Sequence, residues 1–160
     1  MACAPGIVVE CEDGLPDNPE PFNTKLTMEH ISKWREKCSQ LQLGGGNYVL
    51  IDHGHSEYLL YVHLKCDSVS VKKGDSVHTG DLIGKCGNSG CGSLTPHLHL
   101  QLMDNPVRDM ARGMPITFHN MDNTIFSDTV LEKLKMPDDM KTIMKYGKAM
   151  LVKSKNLNFK

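Results

Sequence analysis

Three histidines lie in strand-patterned sequence: His63 within Tyr61-Val62-His63-Leu64, and the pair in His97-Leu98-His99. Successive side chains of a strand point to opposite faces, so His-x-His sets both imidazoles side by side, with Leu98 and Leu100 on the other face. Two imidazoles on one face can share a metal ion and its bound water. They make half of a zinc-hydrolase site, since a catalytic zinc takes three protein ligands and leaves the fourth position to water.

The stretch Gly46–Asn105 has the turns and apolar runs needed to position these groups. Asn47 to His53 and Tyr58 to Leu64 are two β-branched and aromatic runs separated by Gly54-His55-Ser56-Glu57, which predicts an antiparallel hairpin. Val69 to Lys72 and Leu82 to Cys86 are read as further short strands, with Gly74-Asp75 and Gly80-Asp81 as tight turns between them. Gly87 to Ser93 reads as a flexible loop at the rim of a cleft, and Pro96 to Leu102 as a strand whose active face carries His97, His99 and Gln101. Upstream, Gly6 to Cys11 predicts a first strand closed by a turn cluster from Asp13 to Pro19.

Between the first strand and the hairpin the period changes. Ile31, Trp34, Cys38 and Leu41 recur at helical spacing from Thr27 onward, and Gly44-Gly45-Gly46 ends the run, so one helical insertion over 27–43 is expected with Trp34 buried mid-stripe. Ile116 to Phe118 adds a possible strand. Ser127 to Lys135 and Pro137 to Leu151 read as a helical C-terminal tail, the second helix with Pro137 in its first turn and Asp138 and Asp139 at its positive end.

With 18 Lys and Arg against 19 Asp and Glu, the net charge is -1 over 160 residues, which argues against a nucleic-acid footprint or a basic membrane-surface patch. No apolar run approaches the roughly 20 residues of a membrane span, and nothing at Met1 to Gly6 reads as a secretory signal. A chain this long buries about two thirds of its unfolded surface without staples. The 6 cysteines contain no Cys-x-x-Cys pair and are expected as free, buried thiols.

Taken in order, Gly46-Asn47-Tyr48-Val49-Leu50-Ile51-Asp52-His53-Gly54, Tyr61-Val62-His63-Leu64, Val71-Lys72-Lys73-Gly74-Asp75, Gly80-Asp81-Leu82-Ile83-Gly84, Gly87-Asn88-Ser89-Gly90 and Pro96-His97-Leu98-His99 resemble the lysostaphin/LytM-type zinc metallopeptidases. The match covers about half the chain. It implies a mainly β fold, an antiparallel sheet or barrel-sandwich body of the duplicated hybrid motif type, over residues 1–126, followed by the helical extension 127–160. It also implies Zn2+ as cofactor, His99 as a zinc ligand, and His63 and His97 as catalytic histidines that accept the proton of the metal-bound water and stabilise the oxyanion. Peptide bonds in cell-wall cross-links are the family's usual substrates, so the expected partner is peptidoglycan peptide or a cell-wall protein; the family is extracytoplasmic or secreted, and the sequence leaves the location of this chain open.

The family draws its other two zinc ligands, a His and an Asp, from a motif just before the strand that here begins near Gly6. That motif is not among these residues, so the chain is expected to be either a fragment or a short form, with zinc weak or absent. Glu29, His30 and Cys3 are poor substitutes, because zinc demands bonds of about 2.0–2.3 Å. The expectation is therefore a peptidase-like domain that is incomplete or inactive as it stands; the alternative is a non-catalytic peptidoglycan-binding or regulatory module keeping the same cleft. A biotinyl- or lipoyl-type carrier, which shares the Lys73-Gly74-Asp75 and Gly80 to Gly84 pattern, is disfavoured because no lysine sits in the methionine-bearing hairpin such domains modify. His30, His55, His78 and His119 read as ordinary surface or core residues, and His53 as a hairpin-fixing hydrogen bonder.

Overall fold

The computed structural model describes residues 1–20, 23–91 and 93–116. The two most apolar runs become its centre: β2, Asn47–Asp52, and β3, Tyr58–Leu64, pair antiparallel, and almost every residue of both is buried. Such runs need cover on both faces. β1, Gly6–Glu12, lies on the other side of β2, and the two-residue β4, Ser76–Val77, lies outside β1. β5, His99–Met103, pairs antiparallel with β3 and completes a sheet in the order β4-β1-β2-β3-β5.

Strand alternation sorts the core into two layers. Val8, Val49, Ile51, Leu59 and Tyr61 lie on one face, with Leu64, Val77 and Ile83 packed among them. On the opposite face are Tyr48, Leu50, Leu60, Val62 and Met103.

The expected barrel-sandwich is corrected here: the sheet is open, with β4 and β5 at its two edges and no pairing between them among the described residues. The runs read as strands at Val69 to Lys72 and Leu82 to Cys86 are not strands. Their backbone meets the body only at separate points, such as the bridge between Leu64 and Cys86, and the two runs meet each other through the bond from Ser70 N–H to the Ile83 carbonyl. The cause is turn chemistry. Gly74 and Gly80 have φ of 94° and 91°, and the carboxylates of Asp75 and Asp81 accept from the N–H groups of Lys72 and His78, so the chain reverses before a ladder can lengthen.

The helical insertion is present but broken in two. α1, Thr24–Trp34, is capped by the Asn23 side chain, and α2, Gln40–Gly45, by Ser39. Only Thr27 and Ile31 of α1 are buried, whereas Leu26 and Met28 are exposed. Trp34 is half-buried and lies against His30 with ring centroids 5.0 Å apart, so the expected burial against the sheet is not found. The six thiols are unpaired, yet none is buried as expected: Cys3, Cys86 and Cys91 are exposed and the rest intermediate. Ile116 is not in a strand, and the predicted tail helices lie outside the described residues.

Candidate functional site

The register of β5 places its histidine directly. His99 pairs with Val62, Gln101 with Leu60 and Met103 with Tyr58, so His99 and Gln101 share the face of Val62 and Leu60. His97 precedes the strand, bridged to Gly87, two residues from His99 and on the same side. Leu100 and Leu102 pack against the other face. This is the arrangement strand alternation predicts for His-x-His.

His63 arrives by a different route. In a regular strand it would share a face with Tyr61, away from the other two histidines. Asn47 pairs with Leu64 and Val49 with Tyr61, so Tyr48 alone stands opposite both Val62 and His63. The extra residue is a β-bulge at His63, whose φ is 62°, in the left-handed region. Alternation resets across it, which is why Leu64 lies in the same layer as Tyr61. The imidazole of His63 is thereby carried to the face of His97 and His99, with ring centroids 4.7 Å and 6.0 Å away. Left-handed backbone at a non-glycine residue costs about 1–3 kcal/mol and is characteristic of functional sites.

Both proton-accepting candidates are oriented by carbonyl oxygens. Nδ1–H of His63 donates to the Ser89 carbonyl at 2.8 Å, and Nδ1–H of His97 donates to the Thr95 carbonyl at 2.7 Å. A carbonyl only accepts, so in each neutral ring the proton sits on Nδ1 and the lone pair on Nε2. His63 is 4% exposed. Burial pushes its pKa down to about 4; the Ser89 hydrogen bond opposes this shift, and the neighbouring His97 and His99 reinforce it. His99 is also held below its ordinary value, first by burial and then by His97. His63 is thus a neutral base at pH 7.

Most described residues of the loop that holds these rings are buried, contrary to its reading as a flexible rim. Asn88, Ser89 and Ser93 are almost fully enclosed. The Asn18 side chain donates to the carbonyls of Gly90 and Ser93, the Asn88 side chain to that of Asn18, and the Ser93 hydroxyl to the Asn88 side-chain oxygen. Ser93 Oγ also lies 3.5 Å from His97 Nδ1. Asn18, Asn88, Ser89 and Ser93 escaped sequence reasoning. The signal available was the small polar residues of Gly87-Asn88-Ser89-Gly90, a type that bonds nearby backbone, opposite a triple glycine that can admit a second chain closely.

His53 Nδ1–H donates to the Pro5 carbonyl and ties the hairpin to the start of β1; His78 pairs with Asp81 on the surface; His119 lies outside the described residues. Glu29 is exposed on α1, His30 stacks on Trp34, and Cys3 N–H donates to the Tyr61 hydroxyl. Among the described residues no group of three or more His, Cys, Asp or Glu side chains is placed to hold a metal ion. The described residues therefore do not fit zinc, which needs three protein ligands at about 2.0–2.3 Å.

The order of motifs and the clustered histidines are matched by a family model, Peptidase family M23, over residues 32–110. The chain belongs to that peptidase family. Its members are zinc metalloendopeptidases, in keeping with the lysostaphin/LytM-type resemblance. It is 41% identical over 73 residues to the peptidoglycan DD-endopeptidase ShyA of Vibrio cholerae, a match to 44% of this chain and 16% of that protein. It is 38% identical over 76 residues to lysostaphin of Staphylococcus simulans, covering 47% of this chain and 15% of lysostaphin. The chain thus spans about one sixth of the length of these curated relatives. A solved zinc-containing peptidase of Vibrio cholerae is 24% identical with a TM-score of 0.42, covering 69% of this chain and 24% of that one.

Proposed function

We propose that this chain is a peptidoglycan-endopeptidase-type domain whose cleft keeps the proton-transfer histidines, His63 and His97, and one metal-facing ligand, His99, and which is incomplete or inactive as it stands. One observation carries the reading: the bulge at His63 brings its ring to the His97 and His99 face, at the cost of left-handed backbone at a non-glycine residue. With Nδ1 donating to a carbonyl in both His63 and His97, each Nε2 remains to accept a proton from water. Zinc, where the family binds it, supplies an acidified water.

Residues 1–126 are assigned to this domain and 127–160 to a C-terminal extension. The substrate class is wall peptide, which puts the working site outside the cytoplasm; the name of ShyA supports that class. The lack of a three-donor group among the described residues favours a second reading, a non-catalytic module that binds wall peptide or a wall protein through the same face.

Metal content after extensive dialysis, measured beside release of soluble fragments from purified walls, separates these readings from a working enzyme. We expect far less than one zinc per chain and no release. Sedimentation with walls despite no release selects the binding module. Stoichiometric zinc with chelator-sensitive release would overturn the proposal and show that donors such as Glu29, His30 or Cys3 complete the site.

A further inference from the structure

Ser89 is fully buried, and its hydroxyl touches both strands that flank the bulge. Asn47 N–H, at the start of β2, donates to Ser89 Oγ at 2.9 Å, and that hydroxyl donates to the Leu64 carbonyl, at the end of β3, at 2.6 Å. Asn47 and Leu64 are the pair that closes the bulged segment. The Ser89 carbonyl in turn accepts from His63 Nδ1–H. One residue therefore fixes the two ends of the bulge with its side chain and the ring within the bulge with its backbone.

We propose that Ser89 is a positioning residue: its hydroxyl, clamped between Asn47 N–H and the Leu64 carbonyl, holds the Ser89 carbonyl where it keeps the His63 proton on Nδ1 and leaves Nε2 as the free acceptor of a ring that lies beside His97 and His99. This deepens the base role given to His63 above and rests on it. The hydroxyl is the part that matters, because every residue has a carbonyl but only a small side chain with a donor and an acceptor can join both strands here. The neighbouring space admits nothing larger: a methyl on Gly46 would strike Ser89 Oγ and its carbonyl group, and one on Gly90 would strike the Gly46 nitrogen. Without the hydroxyl, Asn47 N–H and the Leu64 carbonyl lose a buried partner, the bulge relaxes, and the Ser89 carbonyl moves off Nδ1.

The tautomer of each histidine is read by ring nitrogen NMR shifts and their couplings to ring protons, at pH 7.5 in the metal-free chain. Neither zinc nor substrate enters, so the result is independent of whether the domain hydrolyses walls. We expect Nδ1–H at His63 in the unsubstituted protein, and Nε2–H as its major form in Ser89→Ala, with His97 unchanged because Thr95 still holds it. Ser89→Cys keeps the side chain's shape but only a weak S–H donor, and is expected to give a mixture; it serves where Ser89→Ala does not fold. A merely structural Ser89 lowers stability and leaves the tautomer alone. An Nδ1–H tautomer retained in either folded variant, or Nε2–H at His63 in the unsubstituted protein, would overturn the proposal.

Discussion

Gly46→Ala should cost about 3–5 kcal/mol and disorganise the site, while Gly44→Ala, two residues away, should be neutral or stabilising by up to about 1 kcal/mol. Gly46 has φ 74° and ψ -146°, backbone that is essentially reserved for glycine, and it ends α2. A Cβ there would meet Ser89 Oγ and the Ser89 carbonyl carbon and oxygen, none of which can move without shifting the loop that holds His63. Gly44 is helical and has open space where a Cβ would stand, so alanine there gains helix propensity and meets nothing. Urea midpoints of the two variants measure the contrast. Equal midpoints would mean that the Gly46 and Ser89 backbones are not in contact in solution.

Acid should unfold this domain earlier than its net charge suggests, through His63. The ring takes a proton near pH 6.5 in the unfolded chain but only at about 4 in the folded one, because burial disfavours its charged form. Between those values the unfolded state holds more protons, so stability falls as pH is lowered through the window. The contribution is complete above about 6.5, and nothing further is lost below about 4. For a ring this enclosed the total is roughly 2–3 kcal/mol, and His99, also held low by burial, acts in the same direction. Unfolding free energies at pH 7, 5.5 and 4.5 should fall steeply in the natural sequence and less steeply in His63→Asn. Asparagine tolerates the left-handed backbone and does not titrate in this range. The same slope in both proteins would rule out His63 as the source.

The strands that carry the site were legible because their signals are local. The apolar runs of β2 and β3, the polar loop between them and the alternation of His97, Leu98 and His99 each depend on residues within a few positions of one another. The turns at Gly74 and Gly80 were legible too, since glycine followed by aspartate states its own conformation. Their effect on the sheet was not. Whether Val69 to Lys72 and Leu82 to Cys86 form ladders depends on what lies alongside, and there the body offers only isolated contacts, so the sheet stays open. Likewise the stripe through Ile31 and Trp34 marks a helix surface, but it does not show the break before Ser39 or the placing of Trp34 against His30.

The sequence by itself determined the family the chain belongs to and the order of the three motif histidines within it. It did not determine that all three share a face, because period-two alternation sends His63 to the side of Tyr61. Only the tertiary structure places the bulge there, by pairing Asn47 with Leu64 across one more residue on β3 than on β2. The residues that hold it are distant in sequence: Ser89 reaches Asn47 and Leu64, and Asn18 reaches Gly90 and Ser93. Bonds between such distant residues have no period to read, and their partners become neighbours only when the β2–β3 hairpin and the Gly87–Ser93 loop close on each other.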